Sequence, residues 1–212
     1  MYFFLLIFLP LVLTAYCFYV RNKTIAPVIF IGIMSSVIFC GFKMLFMYSH
    51  RVVPYSFIEN LFYFLVKQTL LPCAVLYGLY FLVTKDDEEY KVNAVFPLLI
   101  SFYIVFLPYT ELTADSKKYT WFALFFKPFI ILSMIVLLAC CARFIYKAVK
   151  SSLRTQLVKG ILFAVFALVM PAVIESFYII HTEIFIVIIL AVLYILLSLF
   201  VLRKCYKENL NA

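Results

Sequence analysis

Long unbroken apolar runs alternate along this chain with short clusters of charge, and neither strand-like alternation nor an amphipathic helical stripe interrupts the runs. Seven runs stand out, at residues 2–20, 25–48, 56–83, 94–112, 120–142, 157–179 and 184–202. A helix rising about 1.5 Å per residue needs about 20 residues to cross roughly 30 Å of hydrocarbon. Lipid offers the backbone no hydrogen-bond partner, so only helices and closed barrels span it. The alternating segments of about ten residues that a barrel requires are missing. The pattern therefore predicts an all-α polytopic membrane protein of seven transmembrane helices, forming a single domain over residues 1–212.

Composition agrees. Hydrophobic residues make up 67% of the chain and charged residues 13%, against about a quarter charged in soluble domains. The lipid bilayer is the expected solvent. The net charge of +8 would suggest nucleic acid in a soluble protein. Here the basic residues border the apolar runs, which points to anionic headgroups and topology and away from nucleic acid.

The placement of those basic residues predicts an orientation. With the amino terminus outside, the cytoplasmic side receives Arg21, Lys23, Lys85, Lys91, Arg143, Lys147, Lys150, Arg154, Lys159, Arg203, Lys204 and Lys207, and the outer side only Arg51, Lys117 and Lys118. The positive-inside rule then sets the carboxyl terminus in the cytoplasm. No basic residue precedes Tyr2–Val20, so this run reads as a retained helix and not as a cleaved signal.

The third run is the least regular, with Lys67-Gln68 near its middle and Pro72 just beyond. Proline lacks the backbone donor, so a kinked span is expected there, the alternative being an interfacial helix over 56–66 followed by a shorter span. Pro10, Pro128 and Pro171 are expected to kink the first, fifth and sixth helices in the same way.

Five ionisable residues lie inside the apolar runs: Lys43, Glu59, Lys67, Lys127 and Glu175. Such groups in hydrocarbon are costly unless paired or hydrated, which makes them the candidate ligand-binding residues. Helical rise places Lys43 about 10 Å, Lys67 about 15 Å and Lys127 roughly 9 Å from the outer end of their helices. Glu59, Tyr63 and Lys67 follow four-residue spacing and share a face, which is expected to continue through Ala74 and Gly78 as a close-packing stripe. A second stripe, Gly160, Ala164, Ala167, Pro171 and Glu175, aims the Glu175 carboxylate into protein. The five charges are expected to line an outward-facing polar cavity, with Glu111, Asp115, His181 and Glu183 in outer loops at its rim. The competing structural reading pairs Lys43 with Glu59 and Lys127 with Glu175, and uses them only to hold helices together.

Arg143, Lys147, Lys150 and Arg154 recur along one stripe of a helix continuing out of the fifth span, and are the candidate contacts for anionic lipid on the cytoplasmic side. The acidic run Asp86-Asp87-Glu88-Glu89 reads as a solvated loop on that side. Of the six cysteines, Cys17, Cys40, Cys73, Cys140 and Cys141 read as small apolar filler, and Cys205, after Arg203-Lys204, sits where acylation is feasible.

Familiar catalytic signatures are missing. His50 and His181 are far apart, there is no His-Glu-x-x-His pair, no Gly-x-Ser-x-Gly elbow and no phosphate-binding glycine loop. No catalytic residue, metal ligand or cofactor is therefore assigned. The leading expectation is transport or binding of a small anionic or amphiphilic, lipid-headgroup-like molecule. The alternatives are a non-catalytic subunit or scaffold that binds other membrane subunits and, third, an intramembrane lipid-modifying enzyme.

Overall fold

The computed structural model describes residues 2–21, 25–46, 56–83, 87–113, 122, 125–180 and 184–210. Helices α1 (Tyr2–Arg21) and α2 (Ala26–Phe46) come first. They are followed by α3 (Phe57–Phe64), a π-helical segment (Leu65–Leu70) and α4 (Leu71–Val83). Then come α5 (Glu88–Thr113), α6 (Lys127–Lys150), α7 (Arg154–Ile179) and α8 (Ile184–Leu210), with no strand among the described residues. Six stretches are long and apolar enough to cross a bilayer: Ala26–Leu45, Phe57–Tyr80, Glu88–Glu111, Lys127–Lys150, Arg154–Ile179 and Ile184–Cys205. Large apolar side chains stand exposed on them, Phe200 at 68% and Leu45 at 80%, a surface that lipid covers and water would not.

Local signals explain where these helices begin and end. Ser56 caps α3 by accepting from the Glu59 N–H at 3.2 Å, so Ser56-x-x-Glu59 has the spacing of a capping box. Asp87 accepts from the Glu88 N–H at 2.8 Å, and Glu88 and Glu89 occupy the first turn of α5. The acidic run is thus partly helix N-terminus, where negative charge offsets the macrodipole, and not simply a loop. Helix α6 ends in a Schellman arrangement: Leu153 N–H donates to the Ala148 carbonyl and Ser152 N–H to that of Val149, both at 3.1 Å. Ser152 takes φ 56 to close it. The expected basic stripe therefore stops at Lys150, and Arg154 opens α7. At Pro128 the helix is interrupted: Phe126 N–H closes a helical turn on the Phe122 carbonyl at 2.9 Å, Phe126 is a turn residue, and α6 starts afresh with Pro128 as its second residue.

Contacts divide the chain into two compact units. Two of the points where the chain passes from one to the other inside a helical stretch fall at Pro72 and Pro97, where a backbone hydrogen bond is already forfeited.

The first unit holds α1, α2, nearly all of α4, α5 from Pro97 onward and the start of α6. Its α2 and α5 meet closely: a Cβ built on Gly32 would fall 2.7 Å from the Leu98 carbonyl oxygen and closer still to Ser101 Oγ. Phe39 packs edge-on to Phe106, with ring centroids 5.4 Å apart. Leu98, Leu99, Ile100 and Phe102 are fully buried.

The second unit holds α3, the π segment, the start of α5, α6 from Ser133, α7 and α8. Within it α7 packs on α3, on the π segment and on α8. Pro171 cannot donate to the carbonyl of Ala167 one turn earlier, and Tyr194 of α8 donates its hydroxyl to that oxygen at 2.8 Å. The proline therefore supplies the acceptor that anchors α8. Ser198 of α8 donates to Ser133 Oγ of α6 at 3.0 Å.

Candidate functional site

The π segment explains how the chain brings polar groups together. Pro72 has no N–H, which leaves the Gln68 carbonyl without its usual partner and crowds the preceding turn. The helix widens just before it: Leu71 N–H donates to the Val66 carbonyl, five residues back. Thr69 Oγ1 donates to the Leu65 carbonyl at 2.7 Å and supports the wide turn. Segments of this kind concentrate at functional sites. This one carries Lys67, Gln68 and Thr69.

The same wide turn overturns one expectation. One inserted residue rotates everything after it by about 100° relative to the preceding face. The stripe that runs Glu59, Tyr63, Lys67 therefore does not reach a neighbour through Ala74 and Gly78, which are exposed. No described atom comes within 4 Å of a Cβ built on Gly78.

Around the segment, Gln68 Nε2 of the π turn donates to Glu175 Oε1 of α7 at 3.5 Å. Both side chains are half-buried. Phe57 of α3 and Phe177 of α7 also meet, tilted at 42° with centroids 4.8 Å apart. The Lys67 amine stands 4.5 Å from the centre of the Tyr63 ring, the geometry of a cation–π contact. Among the described residues Lys67 makes no ion pair. Glu59 does not join this group: it is exposed and belongs to the α3 cap.

The other two candidates belong to the first unit. Lys43, in the last turn of α2, lies 5.1 Å from the Phe106 ring centre and 5.9 Å from that of Tyr109. Lys127 is buried and forms a salt bridge with Glu111. Glu111 was expected in a loop, but it lies in the last turn of α5. Lys127 is the first residue of α6, directly after the helical turn that Phe126 N–H closes on the Phe122 carbonyl. The five intramembrane charges are therefore two separate sets, Lys43 and Lys127 in one unit, Glu59, Lys67 and Glu175 in the other. Asp115, His181 and Glu183 lie outside the described residues.

Glu111 was expected only as a loop residue at the rim and Gln68 only as an irregularity of the third run; Lys127 and Glu175 were not given these partners, which are set by which helices adjoin. Lys147, Lys150 and Arg154 are exposed around the α6–α7 turn, with Arg143 half-buried. Among the described residues no group of three or more His, Cys, Asp or Glu side chains is arranged to hold a metal ion. Comparisons with protein-family models, with curated proteins and with solved structures return no match.

Proposed function

We propose that this chain is a seven-span membrane protein, amino terminus outside and carboxyl terminus cytoplasmic, that binds or transports a small anionic or amphiphilic molecule at the π-helical turn. Helix α1, 20 residues long, supplies the seventh span. The distribution of basic residues between the two sets of loops supports the orientation.

One observation carries the functional reading. Gln68 holds the Glu175 carboxylate, while the Lys67 amine on the same turn lies over the Tyr63 ring and makes no ion pair among the described residues. A half-buried ammonium in that setting attracts an anionic head. The exposed faces of Phe62, Val66 and Leu70 on the same stretch suit an alkyl tail. Arg143, Lys147, Lys150 and Arg154 meet anionic headgroups on the cytoplasmic side.

Hexyl phosphate is a suitable probe, measured by titration calorimetry on the protein in nanodiscs of neutral lipid. Wild type and Lys67→Arg are expected to bind it. Lys67→Gln is expected to bind at least about tenfold more weakly, as removal of one partner of a partly buried charge pair does, with an unchanged helical circular-dichroism spectrum. Equal affinity in Lys67→Gln would remove this site.

A further inference from the structure

Exposure along α3 and the π segment is not the same on the two sides of Lys67. Ile58, Phe62, Val66 and Leu70 follow one another at four-residue steps and are all exposed, from 43% at Val66 to 65% at Ile58. Asn60, Phe64 and Thr69 are buried, and α7 packs against this stretch. Lys67 comes between exposed Val66 and Gln68, which turns inward to Glu175 of α7. It therefore stands at the border of the exposed line. Lys67 and the Tyr63 ring against which its amine lies are both half-buried.

The depth of the amine matters as much as its bearing. Lys67 lies ten residues, about 15 Å, along the Phe57–Tyr80 stretch that is long and apolar enough to cross a bilayer. Snorkelling serves lysines near helix ends. This far along, an anion has to come to the amine, and the amine makes no ion pair among the described residues.

We propose that the π turn is open sideways to the bilayer and that its ligand is an anionic membrane lipid. The phosphate head meets the Lys67 amine, and the acyl chains stay in the hydrocarbon beside Phe62, Val66 and Leu70. This rests on the anion-binding reading of the turn and narrows it to one class of ligand. Charge complementarity selects the head: a single ammonium at this depth favours an anionic lipid over a zwitterionic one, whose own cation it repels. The exposed line selects the rest. A closed cavity would enclose its ligand and reject a lipid with two chains. Here the side of the turn next to Lys67 is apolar and faces outward, so a lipid reaches the amine without taking its chains out of the bilayer.

The test uses the full-length protein in nanodiscs of dioleoylphosphatidylcholine doped with a phosphatidate that carries a diazirine on one acyl chain. After illumination, adducts are located by proteolysis and mass spectrometry. Labelling between Phe62 and Leu70 is expected to exceed that from phosphatidylcholine bearing the same diazirine by about tenfold or more, the scale of one lost charge partner. Hexyl phosphate should displace the label, and inorganic phosphate at the same concentration should not. Lys67→Gln should bring the label down to the phosphatidylcholine level, and Lys67→Arg should retain it. Equal labelling of the wild-type protein by the two lipids would overturn the proposal. So would displacement by inorganic phosphate as effective as that by hexyl phosphate, since the head alone would then be recognised. The wild-type arms require no variant to fold. Equal labelling together with calorimetric binding of hexyl phosphate removes sideways entry alone; equal labelling without that binding removes the anion-binding turn as well.

Discussion

Lys127→Ala is expected to destabilise the protein by about 3–5 kcal/mol, the range for breaking a buried ion pair from one side. The reason lies in where the two charges sit. Lys127 is the first residue of α6 and Glu111 lies in the last turn of α5. A cation at a helix N-terminus and an anion at a C-terminus each oppose the local macrodipole. Each charge is therefore unfavourable in its own helix and is stabilised by the other. Both side chains are nearly buried, 9% and 12% exposed, so solvent does little to replace a lost partner. Unfolding in mixed micelles, followed by circular dichroism, measures the loss. The double variant Lys127→Met with Glu111→Leu should recover most of it, because no charge is then left stranded. Additive losses in the double variant would show that the pair is not what holds these helix ends.

Gly32→Ala is expected to be the next most damaging small change. The added methyl would overlap Ser101 Oγ and sit 2.7 Å from the Leu98 carbonyl oxygen. A side chain can rotate away, but a carbonyl in the middle of α5 cannot, so α2 and α5 must separate. Overpacking of this kind costs about 1–3 kcal/mol. Gly41 provides the control, since no described atom lies within 4 Å of a Cβ built there. Gly41→Ala should be neutral or stabilise by up to about 1 kcal/mol through helix propensity alone. The two substitutions are chemically identical and sit on one helix, nine residues apart. Opposite signs in the same unfolding assay would follow from packing; equal effects would mean that the α2–α5 approach is not close.

Much of the helical plan can be read from the sequence because lipid imposes it. An apolar run must be helical to satisfy its backbone, and its length is set by the bilayer. The irregularity around Lys67, Gln68 and Pro72 was legible for the same reason, since proline's missing donor acts within its own helix. The form it takes, a wide turn of six residues, was not, and the shift in face that follows misled the reading of Ala74 and Gly78. Ser56-x-x-Glu59 carries a capping signal in plain view, and Glu59 is explained by it and not by burial. The break after Lys150 was invisible because serine, not glycine, adopts the left-handed conformation at position 152. Partners across helices are the least legible. That Lys127 meets Glu111, that Gln68 meets Glu175 and that Ser133 meets Ser198 depends on which helices adjoin and in what register. A single apolar run carries no such information.

Chemical modification of Lys67 tests the central claim most directly. The wild-type protein in nanodiscs is treated with a membrane-impermeant acetylating reagent, with and without hexyl phosphate, and the rate at Lys67 is followed by peptide mass spectrometry. A wet, anion-binding π turn predicts that Lys67 reacts from the aqueous phase and that hexyl phosphate slows the reaction in step with its occupancy. A lysine that does not react in the folded protein, or that reacts at the same rate at saturating hexyl phosphate, would contradict it.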